Sequence, residues 1–544
     1  MKLQRAEVRF LIWLITAVVL VTSAPYVFGW LATPAHRTYT GIHRLTPGDI
    51  SVYYSFIEQG RQGQVFSRNL FSSEAQPVAA VLTPQWYAVG QFAKLFHVSN
   101  IVAYQLTRVG FSILFLILAY HFIAGMLPAH RVRMVAMTVL SFGTGFGAFV
   151  PIGDIAHAVR TLAIPIDLWV PEAFPFLSLY HNPLFLMGLC GILAVFMLVE
   201  RAYDQQDTVA AWFASGLLLI LAIIHPYDVF LIAAVLAGHF FVRVLGDRTW
   251  SVQRARSYLR LLVLVLLPAV LALGTLRTIF AIQPGLAGWA AQNVTLSPAV
   301  WWYLPAYLIP CVLAFMAFPR ALRTGTTRTF VVVTWAGVVP LLLYLPYFPY
   351  QRRMMEGWFI ALVVLGAVAV QAFWQRARKR GALVEGAVIA TGITLVIILM
   401  GITSLTHLVK DAYYAAFGRE PVSMPTGVVQ AFQWVRDTSD VEAVVLARPN
   451  DSNLLPGWAG RTVFLGHADL TAKSKAKTVS VQAFFTPNAA IDRLAFLRES
   501  RITHVVIRQD DVAAFAMLQT FSLPLRVAYK NTDALVYVVA GSGQ

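Results

Sequence analysis

Cysteine, charge and nucleotide-binding motifs are all scarce or missing in this sequence. Only 2 cysteines occur among 544 residues, Cys190 and Cys311, and both lie in apolar runs, so no disulfide framework is expected. Charged residues make up 12% of the chain, whereas hydrophobic residues make up 58%. Neither a P-loop nor a dinucleotide-binding fingerprint occurs. These absences argue against a disulfide-stabilised secreted domain and against a soluble enzyme that uses nucleotides.

The chain contains instead a series of apolar runs of about 20 residues, the length that crosses about 30 Å of hydrocarbon. They predict a polytopic α-helical membrane protein, with a transmembrane domain over 1–408, a long first outer loop over 31–100, and a soluble domain over 409–544. About eleven spans are expected, near 9–30, 101–127, 133–152, 183–201, 209–225, 227–245, 258–280, 299–318, 329–347, 357–374 and 385–407.

The positive charge of the chain belongs to the membrane part. The formal net charge is +16, but the last 134 residues hold 13 basic and 12 acidic residues, which leaves 29 and 14 before them. The basic residues of the membrane part concentrate in alternate loops, at Lys2 to Arg9, Arg131 and Arg133, Arg201, Arg243 to Arg260, Arg320 to Arg328, and Arg376 to Arg380.

This positive-inside pattern predicts a cytoplasmic N-terminus, as in a bacterial-type inner membrane. With an odd number of spans, the first loop and the C-terminal domain are both expected outside. Because Pro25 disfavours cleavage after Ala24, the first apolar run is expected to be an uncleaved span. Nucleic-acid binding has no support, and the expected surroundings are membrane lipids. No pattern in the sequence determines an oligomeric state.

The first outer loop carries an aspartate, Asp49, at the predicted start of an amphipathic helix. Ile50, Tyr53 and Tyr54 follow at helical spacing, and we expect this helix to lie along the membrane interface. Asp49 has two readings that can coexist: a cap that stabilises the helix start, or a functional carboxylate at the membrane surface. A second helix is predicted over 83–96.

Other ionisable residues gather in loops predicted on the same outer face, and together they outline a candidate cavity. These residues are Glu172, His181, Asn182, His225, Asp228, Arg352, Arg353 and Glu356, with Arg108 and Arg277 near the outer ends of spans. Outer-face arginines oppose the positive-inside bias, so they either bind a lipid phosphate or reach toward headgroups. His225 and Asp228 either close a hairpin by a hydrogen bond or line the cavity. Gly143, Gly145 and Gly147 are interpreted as helix-packing residues within a span.

The soluble domain alternates predicted strands and helices, which indicates an α/β fold with a largely parallel sheet. Strands are expected over 443–447, 462–465, 503–507 and 534–539, and helices over 428–437, 490–500 and 512–521. Lys473, Lys475 and Lys477 are interpreted as a solvated helix face. His467, in a loop after a strand, is a candidate contact to a sugar or to the cavity.

This layout resembles the GT-C class of integral-membrane glycosyltransferases, and within it the dolichyl-phosphate-mannose-type and lipid A arabinosyltransferase-like bacterial branches. The matching elements are Asp49 in the first loop, the Pro171-Glu172 and His181-Asn182-Pro183 segments, the Arg352-Arg353 pair and the outside C-terminal domain. The sequence departs from many relatives because Asp49 is followed by Ile50 and not by a second acidic residue.

The resemblance implies an enzyme that transfers a sugar, with inversion, from a polyprenyl-phosphate donor to an envelope glycan, lipid or protein acceptor. Asp49 would be the general base, and Arg352, Arg353 and Arg277 would bind the donor phosphate. Tyr53, Tyr54, Glu172, His181, Asn182, His225, Asp228, Glu356 and His467 would line the cavity. Asp49, Glu172 and Asp228 could supply oxygen ligands to a divalent cation, but no spacing demands a metal.

Two other classes of function stay open at this point. A membrane transporter or lipid flippase would concentrate ionisable residues near the bilayer midplane, whereas here they gather at the outer ends of the spans. A non-catalytic envelope-assembly protein would use the membrane part as an anchor. Such an anchor would not need Asp49, Glu172 and the arginine pair close together.

Overall fold

The computed structural model describes residues 4–74, 81–246, 251–282, 290–379 and 383–540. Lys2, Arg380 and part of the basic group between Arg243 and Arg260 lie outside these ranges. Up to residue 416 the described chain is mostly helical, in the order α1 (Arg5–Ala32), α2 (Pro47–Arg61), α3 (Pro84–Leu95), α4 (Asn100–Ala124), α5 (His130–Phe142), α6 (Ile155–Arg160), α7 (Pro175–His181), α8 (Pro183–Gln205), α9 (Thr208–Ile224), α10 (Tyr227–Gly246), α11 (Val252–Ile282), α12 (Leu304–Thr324), α13 (Thr327–Leu343), α14 (Trp358–Lys379) and α15 (Leu383–Ala416).

Each predicted span falls on one of these helices, namely α1, α4, α5 and α8 to α15. Among the described residues, eight helices are long and apolar enough to cross a membrane. Helices α9 and α13 are shorter apolar helices, and α5 has only 13 residues. The predicted class, a polytopic α-helical membrane protein, is confirmed. The predicted third span was too long, because α5 ends at Phe142 and not near residue 152.

The chain folds into two compact units. The first, here called the helix unit, comprises Met1–Pro25, Leu106–Leu276 and Val294–Lys410. The second, here called the sheet unit, comprises Tyr26–Gln105, Arg277–Asn293 and Asp411–Gln544. The segment over 31–100, predicted to be an outer loop, therefore groups with the C-terminal segment. The functional boundary near residue 408 stays a prediction.

The helix unit is built around α12, α13 and α14, which pack on one another, with α5 against α14, α10 against α13, and α8 against α9. Its core is a continuous set of buried apolar side chains that includes Leu193, Trp335 and Phe359. Several candidate site residues of this unit lie at or next to helix ends, among them His181, Asn182 and His225.

The glycine-rich segment after α5 is a loop and not a packed stretch of helix, which corrects the interpretation of Gly143, Gly145 and Gly147. Gly143 follows the last residue of α5. The N–H groups of Thr144 and Gly145 donate to the carbonyl of Met400 at 2.7 and 3.0 Å, and the N–H of Gly147 donates to Asp167 Oδ2 at 2.8 Å. These glycines let backbone approach backbone and a buried carboxylate.

The sheet unit contains a five-stranded sheet in the order β6-β5-β7-β9-β8 and two short antiparallel pairs, β1-β4 and β2-β3. The strands are β1 (Arg37–Tyr39), β2 (Phe66–Ser67), β3 (Val81–Leu82), β4 (Ser423–Pro425), β5 (Val444–Leu446), β6 (Thr462–Val463), β7 (His504–Arg508), β8 (Leu525–Lys530) and β9 (Ala534–Val539). The C-terminal helices are α16 (Thr426–Thr438), α17 (Pro449–Ala459), α18 (Ser474–Phe484), α19 (Arg493–Glu499) and α20 (Val512–Thr520).

The four predicted strands and three predicted helices of the soluble domain are all present, so the predicted α/β class is confirmed. The sheet is mixed, however: β5 pairs in parallel with β6 and β7, whereas β9 pairs antiparallel with β7 and β8. Lys477 also differs from the expected solvated face, since it is buried and its Nζ lies 2.7 Å from Glu74 Oε1. Lys473 and Lys475 are exposed.

Helix α2 is present where the sequence predicted a helix, but it is buried on almost all sides. It packs between α3 and α17, and its polar residues Ser51, Ser55 and Glu58 are buried together with the apolar ones. Gly90 of α3 lies so close to α2 that a Cβ there would sit 2.4 Å from Ile57 O. The polar face expected to be exposed is therefore covered by neighbouring helices, and the position of α2 along a membrane interface stays a prediction.

Candidate functional site

Asp49 lies in the first turn of α2, which begins two residues earlier at Pro47. The N-cap residue is Thr46, so Asp49 is not the cap. A carboxylate in the first turn is still favoured by the positive end of the helix dipole. Its side chain is 36% exposed, so it combines a fixed backbone with access to solvent.

The sheet unit brings Asp49 and His467 together. His467 Nε2 lies 3.6 Å from Asp49 Oδ1, and the His467 side chain is only 16% exposed. The approach depends on Gly48, because a Cβ at that position would lie 2.7 Å from His467 Cδ2. Asn453 of α17 lines the same place, since its Nδ2 would be 3.7 Å from that Cβ. The motif Pro47-Gly48-Asp49 thus presents a carboxylate to an imidazole.

The electrostatics of this pair raise the pKa of His467 above its ordinary value. Burial of the ring lowers the pKa, but the hydrogen bond and negative charge of Asp49, together with Asp469, raise it by more. The contribution of the Asp49–His467 pair to the stability of the folded state is therefore complete below the ordinary histidine pKa of about 6.5. It is lost as the pH rises through the raised pKa of His467.

Replacing Asp49 by Asn is expected to lower the pKa of His467, because the charge that favours imidazolium disappears while the burial stays. The measurement is an NMR titration of the full chain with ¹³C-labelled histidine rings, in which the His467 signal is assigned by its loss in His467→Asn. An unchanged His467 pKa in Asp49→Asn would show that the two groups do not interact in solution.

The two tyrosines that follow Asp49 differ in their surroundings. Tyr54 is buried and donates a hydrogen bond to the carbonyl of Gly41 at 3.3 Å, and burial raises the pKa of its phenol well above the ordinary value. Tyr53 is half-buried in a stack with Trp86 and Tyr104, at centroid distances of 4.7 and 6.3 Å. The roles of both tyrosines toward an acceptor stay predictions.

In the helix unit, Glu172 is held between the two arginines. Arg353 Nη1 donates to Glu172 Oε1 at 3.1 Å, and Arg352 Nε lies 3.8 Å from the same oxygen. The guanidinium of Arg352 stacks over Trp169 at 4.3 Å from the ring centroid. Glu172 is 2% exposed, and the arginine side chains are 15% and 20% exposed. Two cations facing one carboxylate leave a net positive charge.

Glu356, which the sequence places beside the arginine pair, joins a different group. It is buried with His225 and Asp228, and His225 Nδ1 lies 3.0 Å from Asp228 Oδ1 and 3.4 Å from Glu356 Oε2. Glu356 directly follows the short helical turn Arg352–Met355, which contains the two arginines. Its side chain nevertheless lies with His225 and Asp228. Within the described chain, this is the group of acidic and histidine residues whose atoms converge closely enough to hold a metal ion.

His181, Asn182 and Arg277 have other surroundings. His181 is the last residue of α7, is fully buried, and lies with its ring 4.1 Å from that of Tyr180. Asn182 caps α8 by accepting a hydrogen bond from the N–H of Leu184 at 2.9 Å. Arg277 is exposed on α11 and belongs to the sheet unit. Its role in donor binding stays a prediction.

Asp49 and His467 thus belong to one unit, whereas Glu172, the arginine pair and the His225 group belong to the other. That all of them serve one active site stays a prediction. Arg108 is a further correction, since it is buried and donates to Leu179 O at 2.7 Å and to Thr22 Oγ1 at 3.1 Å. These bonds tie α4 to α1 and α7, so Arg108 serves the packing of the unit.

Two glycines that shape these groups escaped the sequence interpretation, Gly48 beside His467 and Gly188 beside the His225 group. A Cβ at Gly188 would lie 2.6 Å from Asp228 Oδ2 and 2.7 Å from Glu356 Oε1. A glycine inside an apolar run normally indicates helix packing, so the sequence carries no signal for this role.

No protein-family model matches the sequence, and no curated protein matches it. Solved structures do match over nearly the whole chain. The oligosaccharyltransferase of Archaeoglobus fulgidus, tethered to an acceptor peptide with an NVT sequon, has a TM-score of 0.58 and 11% identity over 97% of this chain and 74% of its own.

Two further solved structures also match nearly the whole chain at low sequence identity. ArnT from Cupriavidus metallidurans bound to undecaprenyl phosphate has a TM-score of 0.51 and 14% identity, over 97% of this chain and 99% of its own. The mycobacterial arabinofuranosyltransferase AftD has a TM-score of 0.51 and 14% identity, over 100% of this chain and 40% of its own. All three are GT-C glycosyltransferases, and the predicted GT-C-like fold is confirmed.

Proposed function

We propose that this protein is a membrane glycosyltransferase that moves a sugar from a polyprenyl-phosphate donor to an envelope glycan, lipid or protein acceptor. The observation that carries the proposal is the extent of the structural likeness. It covers 97% of this chain against both the archaeal oligosaccharyltransferase and ArnT. Both the membrane helices and the C-terminal α/β domain are therefore included.

The proposed donor class is supported by the same neighbours and by an apolar cavity of the helix unit. ArnT was solved with undecaprenyl phosphate and the archaeal enzyme with an acceptor peptide. In this chain a cavity of about 300 Å³ lies between α5, α12, α14 and α15. Its lining is almost entirely apolar and includes Val139, Leu313 and Met400. Such a surface suits an isoprenoid tail, which offers no polar group to pair.

Asp49 is the proposed general base. The acceptor hydroxyl attacks the anomeric carbon of the donor sugar, the bond to the phosphate oxygen breaks, and the proton of the hydroxyl passes to Asp49. One such displacement inverts the anomeric configuration. The carboxylate has solvent access on one side, and His467 holds its Oδ1 on the other.

Arg352 and Arg353 are the proposed ligands of the departing phosphate. Guanidinium groups bind phosphate oxygens through paired N–H donors, and fixed cations in a partly dehydrated site stabilise charge that develops on a leaving group. Glu172 orients Arg353 and cancels only part of the positive charge. The reaction takes its energy from the donor phosphoester, so these residues need no nucleotide. We place the reaction on the outer face of a bacterial-type inner membrane, with the C-terminal domain outside.

The test is a transfer assay with the full chain in proteoliposomes and a panel of polyprenyl phosphates that carry radiolabelled hexoses or pentoses. Extracted envelope glycans, lipids and peptides serve as acceptors, and the anomeric configuration of the product is read by NMR. We expect label to move from one donor to one acceptor class with inversion. Movement of an intact labelled lipid across the bilayer, without label transfer from any donor, would contradict the proposal and favour a flippase.

A further inference from the structure

Three elements of the helix unit end at one point and bring His225, Asp228 and Glu356 together. His225 follows the last residue of α9, Asp228 lies in the first turn of α10, and Glu356 precedes α14. One potential ligand atom from each side chain lies within 4.8 Å of the others. The group is thus one nitrogen donor and two carboxylates fixed by three separate helix ends.

Two of the three spacings within the group match the edges of a metal coordination shell. A metal ion about 2.1 Å from its nitrogen and oxygen ligands places neighbouring ligand atoms about 3.0 Å apart in an octahedron and about 3.4 Å apart in a tetrahedron. His225 Nδ1 lies 3.0 Å from Asp228 Oδ1 and 3.4 Å from Glu356 Oε2.

The ligand atoms are buried and, within the described residues, none of them has a hydrogen-bond partner outside the group. This holds for His225 Nδ1, both carboxylate oxygens of Asp228 and both of Glu356. The three residues are 2%, 1% and 0% exposed. Buried polar atoms in native proteins almost always have a partner, so five such atoms that meet only one another indicate a ligand or a shared proton between them.

Charge leads to the same conclusion. Asp228 and Glu356 both pair with the one imidazole of His225, which can offset at most one negative charge. Glu172 pairs with Arg353 and Arg352, at 3.1 and 3.8 Å, and its charge repels that of Glu356 while Arg353 attracts it, so these neighbours offset little of the negative charge of the group. A buried excess of negative charge is costly and needs a cation or a proton. The geometry of the three ligand atoms favours a cation that bonds to all of them.

Gly188 of α8 keeps this place open. The Cβ that any other residue would add there meets Asp228 Oδ2 at 2.6 Å, Glu356 Oε1 at 2.7 Å and His225 Nδ1 at 3.4 Å. The glycine belongs to a helix and has no unusual backbone angle, so the reason for its presence is the space that it leaves in front of the three side chains.

We propose that His225, Asp228 and Glu356 bind one divalent transition-metal ion. One imidazole nitrogen with two carboxylates suits ions such as Zn²⁺, Mn²⁺ and Fe²⁺. The site shares two aromatic walls with the arginine pair: Phe185 and Tyr227 each lie 5.7 Å from the ring of His225, and 5.8 and 5.6 Å from the guanidinium of Arg353. The bound cation would therefore lie close to Arg353, one of the two proposed phosphate ligands.

The experiment measures metal binding without any donor, so its result is independent of the proposed transferase activity. The full chain in nanodiscs is stripped with a chelator, dialysed against Mn²⁺, and examined by EPR and elemental analysis. We expect about one tightly bound Mn²⁺ per chain, displaced by Zn²⁺, and a melting temperature that rises on metal addition.

Three variants test the ligands, and two matched variants serve as controls. Asp228→Asn and Glu356→Gln remove one ligand charge each, and Gly188→Ala blocks the space while it keeps all ligands. Each should weaken Mn²⁺ binding by about 10- to 100-fold or more. Asp167→Asn changes a buried carboxylate elsewhere in the unit, and Gly216→Ala adds a Cβ on α9 where nothing lies within 4 Å. Both controls should bind as the original chain does.

Two results would overturn the proposal. One is an original chain that binds no Mn²⁺ or Zn²⁺ after stripping and melts at the same temperature with and without them, which would leave a shared proton as the partner of the carboxylates. The other is stoichiometric binding of unchanged affinity in Asp228→Asn, Glu356→Gln and Gly188→Ala, which would place the ion elsewhere.

Discussion

Asp49→Asn is expected to lower the rate of sugar transfer by about 10²- to 10⁴-fold, the usual contribution of a general base. Asparagine keeps the size and hydrogen-bonding capacity of the side chain but cannot accept the proton of the acceptor hydroxyl. Because α2 is buried between α3 and α17, the position of residue 49 should not change. The measurement compares initial rates at saturating donor and acceptor, so the loss should appear in kcat and leave the KM for donor nearly unchanged.

The matched control is Asp492→Asn, the same chemical change at another helix start of the sheet unit. Asp492 caps α19 by accepting from the N–H of Ala495, and asparagine caps helices about as well as aspartate. This variant should transfer sugar at the original rate. Equal rates in Asp49→Asn and the original chain, at equal amounts of inserted protein, would remove Asp49 from the chemistry and leave it a role in helix stability alone.

The pairing with His467 adds a pH dependence to the same experiment. Below the raised pKa of His467 the imidazolium holds the Asp49 carboxylate in an ion pair, which makes the carboxylate a weaker base. As the pH rises through that pKa, the charge on His467 is lost and Asp49 is released. The rise of kcat with pH should therefore follow the His467 titration measured by NMR.

The membrane class of this chain was predictable because apolar runs of span length leave few alternatives. Each predicted span corresponds to one helix, and even runs separated only by Pro226, such as α9 and α10, were separated correctly. The third span failed for a physical reason. The segment from Gly143 to Gly147 carries no charge, as a span would, but its N–H groups donate hydrogen bonds to Met400 and Asp167, and hydropathy does not reveal these partners.

The burial of α2 shows the same limit. Its alternation of apolar and polar residues is typical of a helix at an interface, and only the neighbouring helices α3 and α17 reveal that both faces are covered. Helix α17 itself was not predicted, because Pro449, Pro456 and Gly457 within eleven residues are typical of a loop. Tertiary packing against α2 outweighs those local preferences.

For the candidate site, the residue types could be predicted from the sequence but their partners could not. Arg352, Arg353 and Glu356 are neighbours in sequence, yet the turn that contains the arginines leads Glu356 to His225 and Asp228 while Arg353 pairs with Glu172. Such choices depend on side-chain directions at the ends of several helices, which hydrophobic periodicity does not encode.

The second large effect concerns the buried pair of Glu172 and Arg353. Glu172→Gln is expected to destabilise the protein by about 3 kcal/mol, since it leaves two guanidinium groups close together without their shared carboxylate. Arg353→Gln should cost less stability, because Arg352 Nε remains 3.8 Å from Glu172. It should nevertheless lower kcat by about 10²- to 10³-fold through loss of charge at the leaving phosphate. Thermal unfolding and transfer kinetics are measured on the same samples.

The double variant separates stability from catalysis. Glu172→Gln with Arg353→Gln removes both charges, so stability should return to within about 1 kcal/mol of the original, while kcat stays low because the phosphate ligand is gone. The matched control is Glu7→Gln, which breaks another buried pair of the helix unit, with Arg133 Nη1 2.6 Å from Glu7 Oε1. It should destabilise the protein to a similar extent but leave kcat per folded molecule unchanged. Recovery of both stability and kcat in the double variant would mean that Arg353 is a packing residue, and the proposed phosphate site would then rest on Arg352 alone.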